Sequence, residues 1–307
     1  MFAALAGISL VGASLRWAMP DLDIDLARRI CGRLVLGVML PALNIEVIST
    51  ANLGPHLWQV PVTMAAVAIF CVGVGLLVFS PKRMDGRLAY ALVLGCAFGN
   101  VTYLGLPLLR GLFPESQGEV TAIAILCEIT VTSLDLITAA ALAGHLGHID
   151  GMASVRNVAG QLLRFPLLWA VAFAFTLRWL EIPIPPFVLS ALHLLGQSVS
   201  GLMLLVLGMA LKPAAVVTAF RLIGVWWPLL PIKLVLSPLA AAAIGSAFGM
   251  PPLQLQATTL QAAMPPQLFT LVAADRFGLD TETLAAAVAF LTIVSFLTLP
   301  FLFWLTG

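Results

Sequence analysis

The chain has 307 residues, of which 61% are hydrophobic and 9% charged, with a formal net charge of +1. Soluble domains carry about 25% charged residues, so this chain has too little polar surface to cover itself in water, and lipid is its expected solvent. The near-zero net charge excludes a global electrostatic bias toward nucleic acid or an acidic surface.

A spanning helix needs about 20 mainly apolar residues. The first candidate is 2–19, which lacks a basic stretch ahead of its apolar run and carries Arg16 toward its end. It is expected to be a first span and not a secretory signal. Four more follow at 32–50, 57–79, 88–109 and 121–143. After a polar connector over 144–161 come 162–180, 187–211, 222–248, 253–274 and 284–305. The expected fold class is an all-α integral membrane protein with ten transmembrane helices.

Charge in the connectors orients this map, because cytoplasmic loops are enriched in Lys and Arg. Connectors after odd-numbered spans hold Arg16, Arg28, Arg29, Arg33, Lys82, Arg83, Arg87, Arg156, Arg164, Lys212, Arg221 and Arg276. Those after even-numbered spans hold only Arg110 and Arg178. Both termini are therefore expected on the non-cytoplasmic side.

Five spans precede the 144–161 linker and five follow it, so 1–143 and 162–307 read as two repeats of opposite orientation. Each has a polar, proline-bearing fourth member: Leu94–Leu109, with Pro107, and Thr258–Val272, with Pro265. Proline inside a helix removes one hydrogen bond and clashes with the preceding turn. In hydrocarbon the freed carbonyls need protein or water partners. Matched interruptions in inverted repeats point to a substrate site near the midplane, where half-helix N-termini favour anions. The amides Asn100, Gln261 and Gln267 flank the two interruptions.

The run Gly99-Asn100-Val101-Thr102-Tyr103-Leu104-Gly105-Leu106-Pro107 resembles the fourth-helix signature of the auxin efflux carrier family, which includes bacterial transporters of this length. Leu40-Pro41-Ala42-Leu43 is similar to its second helix, and Lys233 with Pro238 to its eighth. Ala262-Ala263-Met264-Pro265, followed by Arg276-Phe277-Gly278, resembles its ninth. The resemblance implies two inverted five-helix repeats whose crossed, proline-broken helices 4 and 9 meet at their prolines. It implies a scaffold unit and a transport unit that move to alternate access, and a multi-pass protein of the cytoplasmic (inner) membrane. It also implies a small organic anion as substrate, auxin-like or malonate/malate-like, and members that form homodimers through scaffold helices. The seventh span lacks the proline expected opposite Pro41.

Ionisable groups inside spans are costly, about 3 kcal/mol at the centre, and usually functional. Glu128 and Asp135 share one face of the fifth span, about 10 Å apart along the axis, too far for a dyad. They suit a proton relay, a cation site, a polar ladder toward the cytoplasm, or simple packing hydrogen bonds. Lys233, between Pro231 and Pro238, could meet a carboxylate substrate, pair with a buried acid, or snorkel to an interface. Asn44 and Glu46 follow Pro41 with a structural or an ion-coupling role. For the substrate the sequence nominates Asn100, Thr102, Tyr103, Pro107, Gln261, Pro265 and Gln267. Gly95–Gly99 and Gly245–Gly249 have the spacing of close helix packing.

Cys31, Cys71, Cys96 and Cys127 are widely separated and read as packing residues. His145, His148 and Asp150 lack a fourth ligand, so neither a metal nor a cofactor is expected. No GxSxG or HExxH element suggests an enzyme. The function expected is a secondary active transporter of a small organic anion working by alternating access, with proton or sodium coupling open. The alternative is a sodium-coupled symporter or cation/proton antiporter in which Glu128 and Asp135 bind the ion.

Overall fold

The structure, a computed structural model, describes residues 1–51, 53–147, 158–160 and 162–307. Helices occupy all ten predicted segments. Among the described residues six are long and apolar enough to cross a membrane: Ile24–Thr50, Gln59–Val78, Pro114–His145, Pro186–Ala210, Leu229–Ala247 and Thr281–Thr306. Three shorter apolar helices, Phe2–Ala18, Gly86–Ala97 and Pro166–Trp179, accompany them. Outward faces are apolar: Leu77 is 78% exposed, Leu297 77% and Trp179 84%. Water would penalise each such side chain by roughly 2 kcal/mol, whereas lipid does not. His148, Asp150 and Arg156 lie outside the described residues; His145 Nδ1 lies 2.9 Å from the Ala141 carbonyl oxygen.

Three proline-bearing segments keep their helix by widening one turn. π-helical turns span Val35–Met39, Val101–Gly105 and Ile232–Leu236. Two residues beyond each lies a proline: Pro41, Pro107 and Pro238. Proline has no N–H, and its ring strikes the carbonyl four residues earlier. A π turn opens the ladder at that point and absorbs both problems. Pro107 therefore does not break the fourth segment, contrary to expectation; the interruption lies upstream, at Phe98–Asn100. Ahead of the eighth segment, in the connector after 187–211, Pro213–Arg221 forms a separate helix, and the spanning helix begins only at Leu229, directly after Pro228.

The chain divides into two compact units, each drawing on both predicted halves. The first comprises Met1–Pro55, Thr102–Ile125 and Leu163–Leu211. It contains α1 (Phe2–Ala18), α2 (Ile24–Leu34), α3 (Leu40–Thr50), α6 (Leu106–Leu112), α8 (Pro166–Trp179) and α9 (Pro186–Ala210). α1 and α9 pack at backbone distance, because a Cβ on Gly12 would collide with the Leu205 carbonyl and one on Gly208 with that of Ser9. Small residues allow that approach where lipid supplies no hydrophobic drive. Arg178 donates to the carbonyls of Ile48 at 3.0 Å and Ala51 at 2.8 Å, placing a cation at the C-terminus of α3.

The second unit comprises His56–Val101, Leu126–Leu162 and Lys212–Gly307. Its helices are α4 (Gln59–Val78), α5 (Gly86–Ala97), α10 (Pro213–Arg221), α11 (Ser237–Ala247), α12 (Pro252–Ala262), α13 (Leu268–Arg276) and α14 (Thr281–Thr306). The long helix α7 (Gln117–His145) contributes its residues from Leu126 onward. Aspartates start two of these helices: Asp85 accepts from the Arg87 and Leu88 amides, and Asp280 from that of Thr283, satisfying donors every helix start leaves open. Gly95 faces Leu229 and Leu284, and Gly245 faces Leu255 and Met250. Gly249, with φ +66°, forms a turn and is no part of a helix-packing pair.

Candidate functional site

Helix α5 ends at Ala97, and the chain runs extended through Phe98 (φ −103°, ψ 114°) before turning helical again at Val101. Helix α12 ends at Ala262, and Gln267 is extended (φ −77°, ψ 152°) ahead of α13. Proline disfavours a helical conformation in the residue before it, so Met264-Pro265-Pro266 ends α12 twice over. The two extended stretches pair with each other. Asn100 N donates to the Pro265 carbonyl at 2.7 Å, and Gln267 N to that of Phe98 at 3.1 Å. Gly99 and Pro266 face each other as an antiparallel bridge. The first interruption thus depends on glycine: a Cβ on Gly99 would lie 3.1 Å from Lys233 Nζ and from the Met264 carbonyl oxygen. Pro265 stands in its interruption as expected, while the partner of Pro266 is Gly99 and not Pro107.

Interrupting two helices exposes ends that hydrocarbon cannot satisfy, and buried charges serve them. Lys233 is 1% exposed. Its Nζ donates to the Ala262 carbonyl at 3.1 Å, the Ala97 carbonyl at 3.4 Å and Ser237 Oγ at 3.4 Å. Ser237 Oγ donates in turn to the Ala262 carbonyl at 2.8 Å. One ammonium therefore caps the C-termini of α5 and α12 together. A helix C-terminus carries about −0.5 elementary charge, so the two ends roughly offset the lysine. Among the described residues Lys233 has no carboxylate partner, and it does not snorkel. Helix capping takes the place of the pairing with a buried acid and of the snorkelling considered from sequence.

The opposite pole is Asp135, fully buried on α7. Its Oδ2 accepts from Gln267 Nε2 and from Thr270 Oγ1, each at 2.7 Å. Gln267 is the N-cap residue of α13 and Thr270 lies in its first turn, so the carboxylate sits at a positive helix end. Among the described residues its Oδ1 has no partner. Glu128 lies two turns earlier on α7 and is also buried. Among the described residues Gln261 is buried with both amide atoms unpartnered, as are the hydroxyls of Thr258 and Thr259.

The remaining nominated residues belong to the first unit. Thr102 is buried on the π turn after Asn100. Tyr103, on the same turn, packs against the apolar cluster of Ile24, Val206 and Met209. Asn44 is buried with its amide unpartnered among the described residues. Glu46 is part-buried: its Oε1 lies 2.5 Å from His193 Nδ1, and it lines a surface pocket with Thr50, Leu189, Ser190 and His193. Gln197 Nε2 donates to His193 Nε2 at 2.6 Å, which leaves the Nδ1 proton for Glu46.

Ser237 and Thr270 escaped the sequence reading. Each had a signal in its spacing, Ser237 one turn after Lys233 and Thr270 three residues after Gln267. Hydroxyls are common in helices, and only the partners distinguish these two.

Comparison with known proteins identifies the family. The profile of a family described as membrane transport protein matches residues 25–144 and 152–303. A protein of Methanocaldococcus jannaschii named uncharacterized transporter is 23% identical over 291 residues, covering 90% of this chain and 89% of that one. One of Methanothermobacter thermautotrophicus, with the same name, is 28% identical over 278 residues, covering 87% and 85%.

Proposed function

As the chain belongs to the membrane transport protein family, that of the auxin efflux carriers, we propose that this membrane transporter is a secondary active carrier of a small organic anion working by alternating access. It spans the inner membrane ten times as two inverted five-helix repeats, 1–143 and 162–307, joined by the cytoplasmic linker 144–161. Both termini face away from the cytoplasm. The observation that carries the reading is the antiparallel pairing of Phe98–Asn100 with Pro265–Gln267. Two helices stop and restart at one depth, and their polar ends collect beside a buried ammonium and the amides of Asn100, Gln261 and Gln267. An intramembrane cluster of helix ends is suited to a small anion and has no need of a cofactor.

The first substrate shell is Asn100 with Gln261 and Gln267. Gln261 supports this by keeping a buried amide without a protein partner, which a native interior rarely tolerates. Purified protein in liposomes tests the proposal. Labelled malonate, malate and indole-3-acetate are offered in turn, and saturable, counterflow-competent uptake of at least one is expected. Asn100→Ala is expected to lower its initial rate roughly tenfold, the worth of one buried hydrogen bond to a charged group. Uptake of none of the three by the wild type, or a steady ion current in place of saturable uptake, contradicts the proposal.

A further inference from the structure

We propose that Asp135 stands in for the substrate's carboxylate in this structure, and that a proton on Asp135 releases Gln267 and Thr270 to the substrate, so that one proton travels with each anion. The inference rests on the anion-carrier reading above and adds its coupling.

Three observations converge on it. Two side-chain donors at the α13 start, the Gln267 side-chain amide and the Thr270 hydroxyl, are taken up by one carboxylate oxygen, at 2.7 Å each. These are the groups an incoming carboxylate would need at that helix end. Among the described residues the other oxygen of Asp135 is buried without a partner, and no ion pair reaches Asp135. Finally, the charges do not balance. A helix N-terminus supplies about half a positive charge, whereas Lys233 is matched by two C-terminal ends and holds Ala97 and Ala262. An ionised, half-compensated carboxylate in a dry interior is expensive, and a proton on the empty oxygen removes the deficit.

The groups facing Asp135 favour a proton over a metal cation. From α13 they are Gln267 and Thr270, neutral and donating. Along α7 it is Glu128, about 10 Å away along the axis. Sodium would require a shell of oxygen acceptors, whereas a proton requires only the oxygen it sits on.

The sequence of events balances. The Asp135 carboxylate takes up one proton at Oδ1, its hold on the two donors weakens, and the anion's carboxylate accepts from them instead. Two carboxylates cannot share these donors while both are charged. Anion binding and protonation therefore favour each other, and by reciprocity each strengthens the other by the same factor. Proton and anion leave together on the far side.

The test uses the purified, full-length protein with malonate as probe. In weakly buffered detergent solution containing a pH indicator, the wild type is expected to take up about one proton per malonate bound. Asp135→Asn is expected to bind malonate with no proton uptake and no pH dependence. Thr270→Val weakens binding several-fold with the proton count unchanged, and it stands in if Asp135→Asn does not fold. In proteoliposomes with the membrane potential clamped at zero, an inward proton gradient of one pH unit is expected to drive about tenfold malonate accumulation by the wild type and none by Asp135→Asn. Proton uptake that survives in Asp135→Asn, or accumulation driven by sodium and indifferent to pH, overturns the proposal. Should malonate not bind at all, the anion reading fails for that probe and infrared titration of ligand-free protein still decides. A protonated-carboxyl band that disappears as pH rises and is missing from Asp135→Asn supports the assignment, and its absence from the wild type overturns it.

Discussion

Lys233 shows how a single charge can be stable in the middle of a membrane protein without a counter-charge of its own. Its partners are the terminal carbonyls of α5 and α12 and the hydroxyl of Ser237, so its energetic role is to satisfy two helix ends that would otherwise be bare. Lys233→Met preserves much of the volume and strands both carbonyls, and is expected to cost about 3 kcal/mol of stability. Ser237→Ala leaves Lys233 to serve Ala262 alone and is expected to cost about 1 kcal/mol. Unfolding followed in detergent, without ligand, measures both. Equal stability of Lys233→Met and the wild type would mean that the ammonium is not a cap. The sequence announced that an ionisable group lay within a span, because the surrounding run is apolar. It could not name the partners, since backbone carbonyls belong to every residue and only the fold chooses among them.

At the scale of elements, glycine and proline divide the labour differently than their spacing suggests. Pro265 and Pro266 end a helix, whereas Pro41, Pro107 and Pro238 sit after π turns that keep theirs going. In the first interruption the essential residue is Gly99, which allows the chain to lie against Lys233 and the Met264 carbonyl. Gly99→Val is accordingly expected to displace the paired strands and to lower transport about a hundredfold, the effect of misplacing a site by an ångström. Pro107→Ala lets the π turn relax and is expected to change transport only a few-fold. Vesicle uptake compares the two, and a larger loss in Pro107→Ala reverses the assignment. Elsewhere Gly208→Leu should prevent α1 from reaching α9 and abolish a stable monodisperse preparation in detergent. Helix content and the positions of long apolar runs were legible because hydrocarbon imposes length and composition directly. The place of the first break was not, since a Gly-Asn pair in a strand or turn carries no mark of depth, and proline drew attention seven residues too far downstream.

For the molecule as a whole, two descriptions coexist. The span count divides the chain in the middle, at 144–161, while packing gathers segments from both halves into each compact unit. The descriptions are compatible, because insertion orients helices in chain order and the finished protein packs them by surface. Insertion responds to Lys and Arg near the span ends, so orientation can be tested without reference to packing. The proposed arrangement puts Lys82, Arg83 and Arg87 inside the cell and the turn after α6 outside. Of the native cysteines only Cys31 is partly accessible, so a Cys31→Ser background is quiet enough for labelling. In that background, Ser116→Cys in whole cells is expected to react with a membrane-impermeant maleimide. Ser80→Cys is expected to react only after the cells are opened. The opposite pattern inverts the whole molecule in the membrane and, with it, the direction in which a proton gradient would drive the anion. Labelling at both positions would mean that a span between Ser80 and Ser116 is missing, and with it the interrupted helix on which the transport reading rests.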